Sequence, residues 1–301
     1  MSHSHSHHKA NYNRAFAIGI ALNSAFVLCE AVFGFLSNSL ALLADAGHNL
    51  SDVLGLLLAW GAAILASRPT TPRYTYGLRR SSILAALFNS IFLFVAIGGI
   101  AWEAIQRLIS PSPVSGNIVI GVAVVGIIIN TATALMFMSD RQNDLNIRAA
   151  FWHMAGDALV SVGVVLAGIA ILLTGWLWFD PIVSLIIVVV IVAGTWELLK
   201  DSLNLALDAV PENIEPLAVQ TYLSELPEVA QVHDLHIWGM STTEIALTAH
   251  LVIPTGHPGD DFLAKVVHEL HDNFGIEHAT LQIETGTSDC ICPQIDCSHK
   301  G

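Results

Sequence analysis

Charge is what this sequence has least of. Only 12% of its 301 residues are Asp, Glu, Lys or Arg, about half the share found in an ordinary soluble globule. The apolar share is 53% and the mean hydropathy is +0.62. A chain so poor in charge takes lipid as the solvent for much of its length. Basic residues are the scarcer sign, with 12 Lys and Arg against 25 Asp and Glu. Residues 1–199 carry nine basic and nine acidic groups, whereas residues 200–301 carry three and sixteen. The sequence therefore divides into an apolar, neutral first two-thirds and an acidic, water-soluble last third. Without clustered Lys and Arg to meet phosphates, that acidic part argues against nucleic acid as a partner. Cysteine is rare as well. Cys29 stands alone in an apolar stretch, and Cys290, Cys292 and Cys297 lie together near the end. Such usage excludes a secreted disulfide framework, and the terminal cluster reads as metal-binding or redox-sensitive. Met1 to His8 alternates Ser and His with no apolar run, which excludes a cleavable signal peptide. It reads as a natural His-rich metal-binding arm rather than an expression tag.

Long apolar runs are abundant. A spanning helix needs about 20 mostly apolar residues, and six stretches qualify: approximately 14–37, 39–66, 82–108, 115–138, 147–174 and 177–199. Turn or breaker residues separate them, among them Ser37-Asn38-Ser39, Arg68-Pro69, Pro111-Ser112-Pro113 and Gly175-Trp176. With this topology Lys9, Arg14, Arg68, Arg73, Arg79, Arg80, Arg141, Arg148 and Lys200 fall on one side of the bilayer and only Arg107 on the other. The positive-inside rule then places both termini and the last third in the cytoplasm.

Beyond the last span, Glu212 to Leu226 reads as an amphipathic helix behind Pro211. Val229 to Trp238 and Glu244 to Ile253 read as strands, the second alternating Ile245, Leu247, Ala249, Leu251 and Ile253. Asp260 to Phe274 reads as a helix closed by Gly275, and Ala279 to Glu284 as a third strand. The order αββαβ predicts a small α+β domain with helices on one face of its sheet. The expected organisation is a His-rich arm over 1–13, a six-helix transmembrane domain over 14–202, a cytoplasmic α+β domain over 203–287 and a Cys-rich tail over 288–301.

The histidines carry the chemistry. Of fourteen, only His48 and His153 fall within predicted spans, and each is followed four residues later by an aspartate, Asp52 and Asp157. On a helix, residues i and i+4 share a face. Two such helices facing one another present two imidazoles and two carboxylates to one point, a donor set that suits tetrahedral Zn²⁺. The lack of thiolate argues against Cu(I), and the imidazoles argue against Mg²⁺ or Ca²⁺. A lone intramembrane His or Asp often does no more than hydrogen-bond a neighbouring helix. The same spacing on two separate spans, at a depth where ionisable groups are costly, favours an ion pathway. Counted along the spans, however, Asp52 lies several residues deeper than Asp157, so the fit requires the second helix to tilt or project. Asp45 and Glu30 read as outer-shell groups, proton relays or buried packing residues. Asn23, Asn89 and Asn130 read as interhelical hydrogen bonders.

The run from Asn38 through Asp45 and His48 to Asp52 resembles the second helix of the cation diffusion facilitator family. So do Leu145 to Arg148 leading to His153 and Asp157, Trp178-Phe179-Asp180-Pro181, and Val232-His233-Asp234-Leu235-His236-Ile237-Trp238. The resemblance extends over essentially the whole chain. It implies a homodimeric Zn²⁺/H⁺ antiporter with a ferredoxin-like cytoplasmic domain, with cadmium as second substrate. It also implies a cytoplasmic metal site at His233, His250, His278 and Glu284, and a further contribution from Cys290 and Cys292 of the tail, together with the His-rich arm. His257 and His268 read as solvated surface residues. Two departures stand out. The loop Ser67 to Ser82 holds neither His nor Asp, so no loop metal site is expected. Arg79-Arg80-Ser81-Ser82 stands where family members often carry a Glu two residues after an Arg, so the ion pair of that Glu is lost or moved.

The expected mechanism is export by alternating access, Zn²⁺ and H⁺ competing for His48, Asp52, His153 and Asp157. Metal binding requires deprotonated ligands, and imidazole titrates near neutrality. A membrane-embedded zinc hydrolase is the rival from another class, but catalytic zinc keeps an open position with a base nearby. Here four protein ligands fill the site, with no Glu beside them. A metal sensor without transport and a passive channel are the other readings. The short loops point to a bacterial inner membrane.

Overall fold

The computed structural model describes residues 21, 24–137 and 145–286. The His-rich arm, the start of the first span and the cysteines Cys290, Cys292 and Cys297 lie outside the described residues. Among the described residues there are six apolar helices: α1 (Ser24–Ser37), α2 (Leu40–Ala66), α3 (Ser81–Ile109), α4 (Gly116–Phe137), α5 (Leu145–Thr174) and α6 (Phe179–Ala206). The last five are each long and apolar enough to cross a membrane. A short helix α7 (Pro216–Ser224), strands β1 (Gln231–Gly239) and β2 (Ile245–Val252), helix α8 (Asp260–Phe274) and strand β3 (His278–Glu284) follow. The described residues fall into two compact units. One runs up to Leu57 and resumes over Asn89–Trp196; the other joins Leu58–Phe88 to Glu197 onward.

In the first unit, helix ends are closed by identifiable groups. Asn38 takes φ 56°, a left-handed conformation that Asn tolerates, and the chain then turns into α2. The buried Asp180 of α6 accepts the Leu40 and Ala41 N–H groups at 2.8 and 3.4 Å and also bonds the Ser39 hydroxyl. A carboxylate there satisfies orphan donors and complements the positive end of the helix. Arg107 holds the same corner through the Asn38 carbonyl and side-chain oxygen, at 2.6 and 2.8 Å. Gly175, at φ 71°, ends α5 and donates its N–H to Ile171.

Glycine sets how closely helices approach. A Cβ on Gly126 of α4 would lie 2.7 Å from Phe26 Cζ and 3.0 Å from Ser161 Oγ, whereas one on Gly121 would meet nothing within 4 Å. Close helix approach at small residues is the usual means of membrane helix packing. Gly126→Ala is therefore expected to lower the thermal midpoint in detergent, by the ~1–3 kcal/mol typical of overpacking. Gly121→Ala should leave that midpoint unchanged or raise it. Equal midpoints for the two variants would show that this contact does not limit packing.

In the second unit, β1 pairs antiparallel with β2, and β2 pairs parallel with β3 after the α8 crossover. The alternating Ile245, Leu247, Ala249, Leu251 and Ile253 are buried with Val219 and Leu223 of α7 and with Val266 and Leu270 of α8. The αββαβ order is thus observed, with its core between the sheet and both helices. The amphipathic helix is shorter than the reading from Glu212 to Leu226, because Pro216 takes its first turn and holds Glu215 extended at φ −92°, ψ 104°. Gly275, at φ 67°, closes α8 by donating to the His271 carbonyl.

Candidate metal centre

Helices α2 and α5 bring the two His-x₃-Asp pairs face to face. His153 Nε2 lies 3.2 Å from Asp52 Oδ2 and 3.7 Å from Asp157 Oδ2; His48 Nε2 lies 3.7 Å from Asp52 Oδ2 and 3.8 Å from Asp157 Oδ1. The imidazole rings meet edge to face, their centres 5.7 Å apart. Ligand atoms at 2.0–2.2 Å from a tetrahedral zinc stand roughly 3.3–3.6 Å from one another, so the spacing matches donors arranged about a central cation. Asp157 Oδ2 is buried with no donor at hydrogen-bonding distance, a cost that a bound cation removes. Asp157 is the most enclosed of the four, its side chain 5% exposed against 39% for His153. The four residues border a cavity of about 390 Å³ that Asp45, Gly156 and Gly194 also line. Asp52 and Asp157 line the same cavity despite the depth difference that span counting implies, but the ligand atoms that all lie within 4.8 Å of one another are those of His48, His153 and Asp157.

The second candidate lies on the sheet. Antiparallel pairing sets His233 opposite His250, and parallel pairing sets Val252 opposite Glu284. Glu284 thereby reaches both imidazoles, with Oε2 3.0 Å from His233 Nε2 and Oε1 2.9 Å from His250 Nδ1. Burial pushes the Glu284 carboxyl up, but hydrogen bonds from Gln282 and His233 and electrostatic attraction to the neighbouring imidazoles outweigh it and hold the carboxyl below the ordinary Glu range. One glutamate bridging two histidines is a three-ligand arrangement with room for a fourth donor.

His278 does not join this group within the chain. It stands opposite Ala246 at the start of β3, six residues from Glu284 along an extended strand, a separation of about 20 Å. Its ring packs edge to face against Tyr76, centres 5.5 Å apart. The resemblance implied a four-residue set, and the strand geometry divides it. Asp234 is a group the sequence reading passed over. Its Oδ2 lies 3.6 Å from His250 Nε2 and its Oδ1 3.3 Å from His236 Nε2. Register shifts between His233 and His236, and Asp234 there takes φ 51°. The run His233-Asp234-Leu235-His236 was visible, but nothing in it marks a bulge.

The basic pair before α3 also finds partners. Arg79 bonds Glu244 at 2.7 Å, Arg80 pairs with Asp208, and the Ser82 hydroxyl accepts the Thr242 N–H at 3.1 Å. The ion pair expected to be lost or moved is thus replaced by two, both within the second unit.

Comparison with known proteins gives matches over both parts of the chain. Residues 16–205 match the model of the cation efflux transmembrane domain, and residues 211–286 that of the cation efflux protein cytoplasmic domain. Zinc transporter ZitB of Escherichia coli (strain K12) is 39% identical over 291 residues, which cover 94% of this chain and 93% of that protein. Metal cation efflux system protein CzcD of Cupriavidus metallidurans is 37% identical, over 99% of this chain and 93% of its own length. A cadmium, cobalt and zinc/H(+)-K(+) antiporter of Bacillus subtilis (strain 168) is 35% identical, over 93% and 92%. A solved metal-bound C-terminal domain of a CzcD transporter matches 24% of this chain and 99% of its own, at 32% identity and a TM-score of 0.22.

Proposed function

Because the chain belongs to the cation efflux family of multi-pass membrane transporters, we propose that it exports Zn²⁺ from the cytoplasm in exchange for H⁺. It is a transporter and not an enzyme. The ion occupies His48, Asp52, His153 and Asp157, and Cd²⁺, with similar donor preferences, is the second substrate. The observation that carries this reading is the set of His–Asp separations, 3.2 to 3.8 Å, around one cavity into which Asp157 brings a buried oxygen with no donor.

Zn²⁺ enters while the cavity faces the cytoplasm and displaces protons from its ligands. The helices then expose the site to the far side, where higher proton activity returns protons and releases the ion. His233, His250 and Glu284 hold a second Zn²⁺ that stabilises the cytoplasmic domain, and that domain joins two copies into a homodimer. The tail at Cys290 and Cys292 and the arm at His3 to His8 together supply a further metal site. Both termini face the cytoplasm, and the membrane is a bacterial inner membrane.

The test is zinc uptake into proteoliposomes bearing the purified protein, with and without an imposed pH gradient. Uptake that rises with the gradient supports exchange. Uptake that ignores the gradient would mean a passive channel, and no uptake with zinc still bound would mean a sensor.

A further inference from the structure

Beside the four site residues sits a pair of carboxyl groups to which metal binding assigns no part. Glu30 of α1 and Asp45 of α2 are 0% and 1% exposed, and their carboxyl groups meet within hydrogen-bonding reach. Asn49 Nδ2 donates to Glu30 Oε2, and the Ser161 hydroxyl donates to Asp45 Oδ2, both at 3.4 Å. Glu30 Oε1 and Asp45 Oδ1 remain buried with no donor, and so does Asn49 Oδ1, on a side chain that is itself 0% exposed. Among the described residues, Asp157 of α5 is a further charged group acting on both carboxyls. Asn49 of α2 and Ser161 of α5, which bond the pair, are neutral, and His48, Asp52 and His153 are the other titratable groups that share the cavity with Asp45.

Two carboxylates in contact repel one another, and in a water-poor interior that contact persists only when a positive charge lies between them. A proton is the positive charge that fits between two oxygens at hydrogen-bonding distance. A packing role alone is met at lower cost by neutral amides or hydroxyls. Asp45 also lines the same cavity as His48, Asp52, His153 and Asp157, so a proton on the pair borders the space the ion occupies.

We propose that Glu30 and Asp45 share one exchangeable proton, released when a divalent cation occupies the adjoining site and regained when it leaves. On loading, one O–H bond of the pair breaks and the proton passes to water in the cavity. The cation's charge then offsets the second carboxylate. On unloading, water returns the proton and the O–H bond re-forms. This inference rests on the exchange reading above and adds to it a group that carries the proton without touching the metal.

The experiment counts protons released per zinc bound by the full chain in detergent, by titration in buffers of different ionisation enthalpy. Wild type is compared with Glu30→Gln and Asp45→Asn, which keep shape while removing the shared proton. The expected result is a count lower by about one in both variants, with zinc affinity at the transport site kept within about threefold in Glu30→Gln, whose side chain does not line the cavity. Gradient-driven uptake should fall roughly tenfold, within the usual range of coupling between linked sites. Glu30→Asp should restore the count. If both variants release as many protons as wild type, or if both lose zinc binding at the transport site, the pair is not the carrier. If wild type itself releases none, the exchange reading fails with it, so the two failures are distinguishable.

Discussion

Asp157→Ala is expected to abolish gradient-driven zinc uptake while leaving the protein folded and in the membrane. Asp157 faces His48 at 3.8 Å and His153 at 3.7 Å and is the most enclosed of the four side chains. Its removal deletes one ligand and leaves two imidazoles and one carboxylate around a widened cavity. Outer-shell changes alone typically cost 10–100-fold in metal affinity, so loss of a direct ligand should cost at least about 100-fold. Removing this buried carboxylate relieves its desolvation cost, which offsets the lost contacts with the two imidazoles, so the variant should melt close to wild type. Uptake and thermal midpoint together make the check. Undiminished uptake would eliminate the His–Asp constellation as the transport site. Lost uptake with an early melt would indicate a structural role instead.

Zinc is expected to raise the melting temperature of the C-terminal α+β domain, and His233→Ala should remove most of that rise. A ligand at 100 times its dissociation constant stabilises the folded state by about 2.7 kcal/mol. For a domain of this size that corresponds to roughly 10–20 °C. The zinc-induced shift is the quantity compared, because loss of His233 also disturbs the metal-free sheet. His278→Ala serves as the contrast, since His278 lies at the far end of β3 against Tyr76. The assignment of His233, His250 and Glu284 requires the His278 variant to keep the shift. If His278→Ala loses the shift as completely as His233→Ala, the ligand set is completed in some way other than within one chain.

What could be read without coordinates follows from two periods and one solvent. Lipid demands long apolar segments, so the helices α2 to α6 were legible to within a few residues, except that α6 continues past Lys200 to Ala206. The strand alternation at Ile245, Leu247 and Ala249 and the glycine after Phe274 are local signals, and they placed β2 and the end of α8. The pairs His48/Asp52 and His153/Asp157 were legible because i and i+4 share a helix face whatever the tertiary structure does. Which groups meet across elements was decided only by packing. Span counting set Asp52 and Asp157 at different depths, yet helix placement joins them around one cavity. His278 carries the same chemistry as His250, but an extended strand advances about 3.3 Å per residue, so only the Glu284 end of β3 reaches the two imidazoles. Asp234 turns toward His250 through a bulge that no composition announces. Glu30 and Asp45 meet although they lie on different helices, a contact that neither helix's own periodicity specifies. Sequence periodicity determines what shares a face; the approach of one face to another depends on the packing of the whole chain.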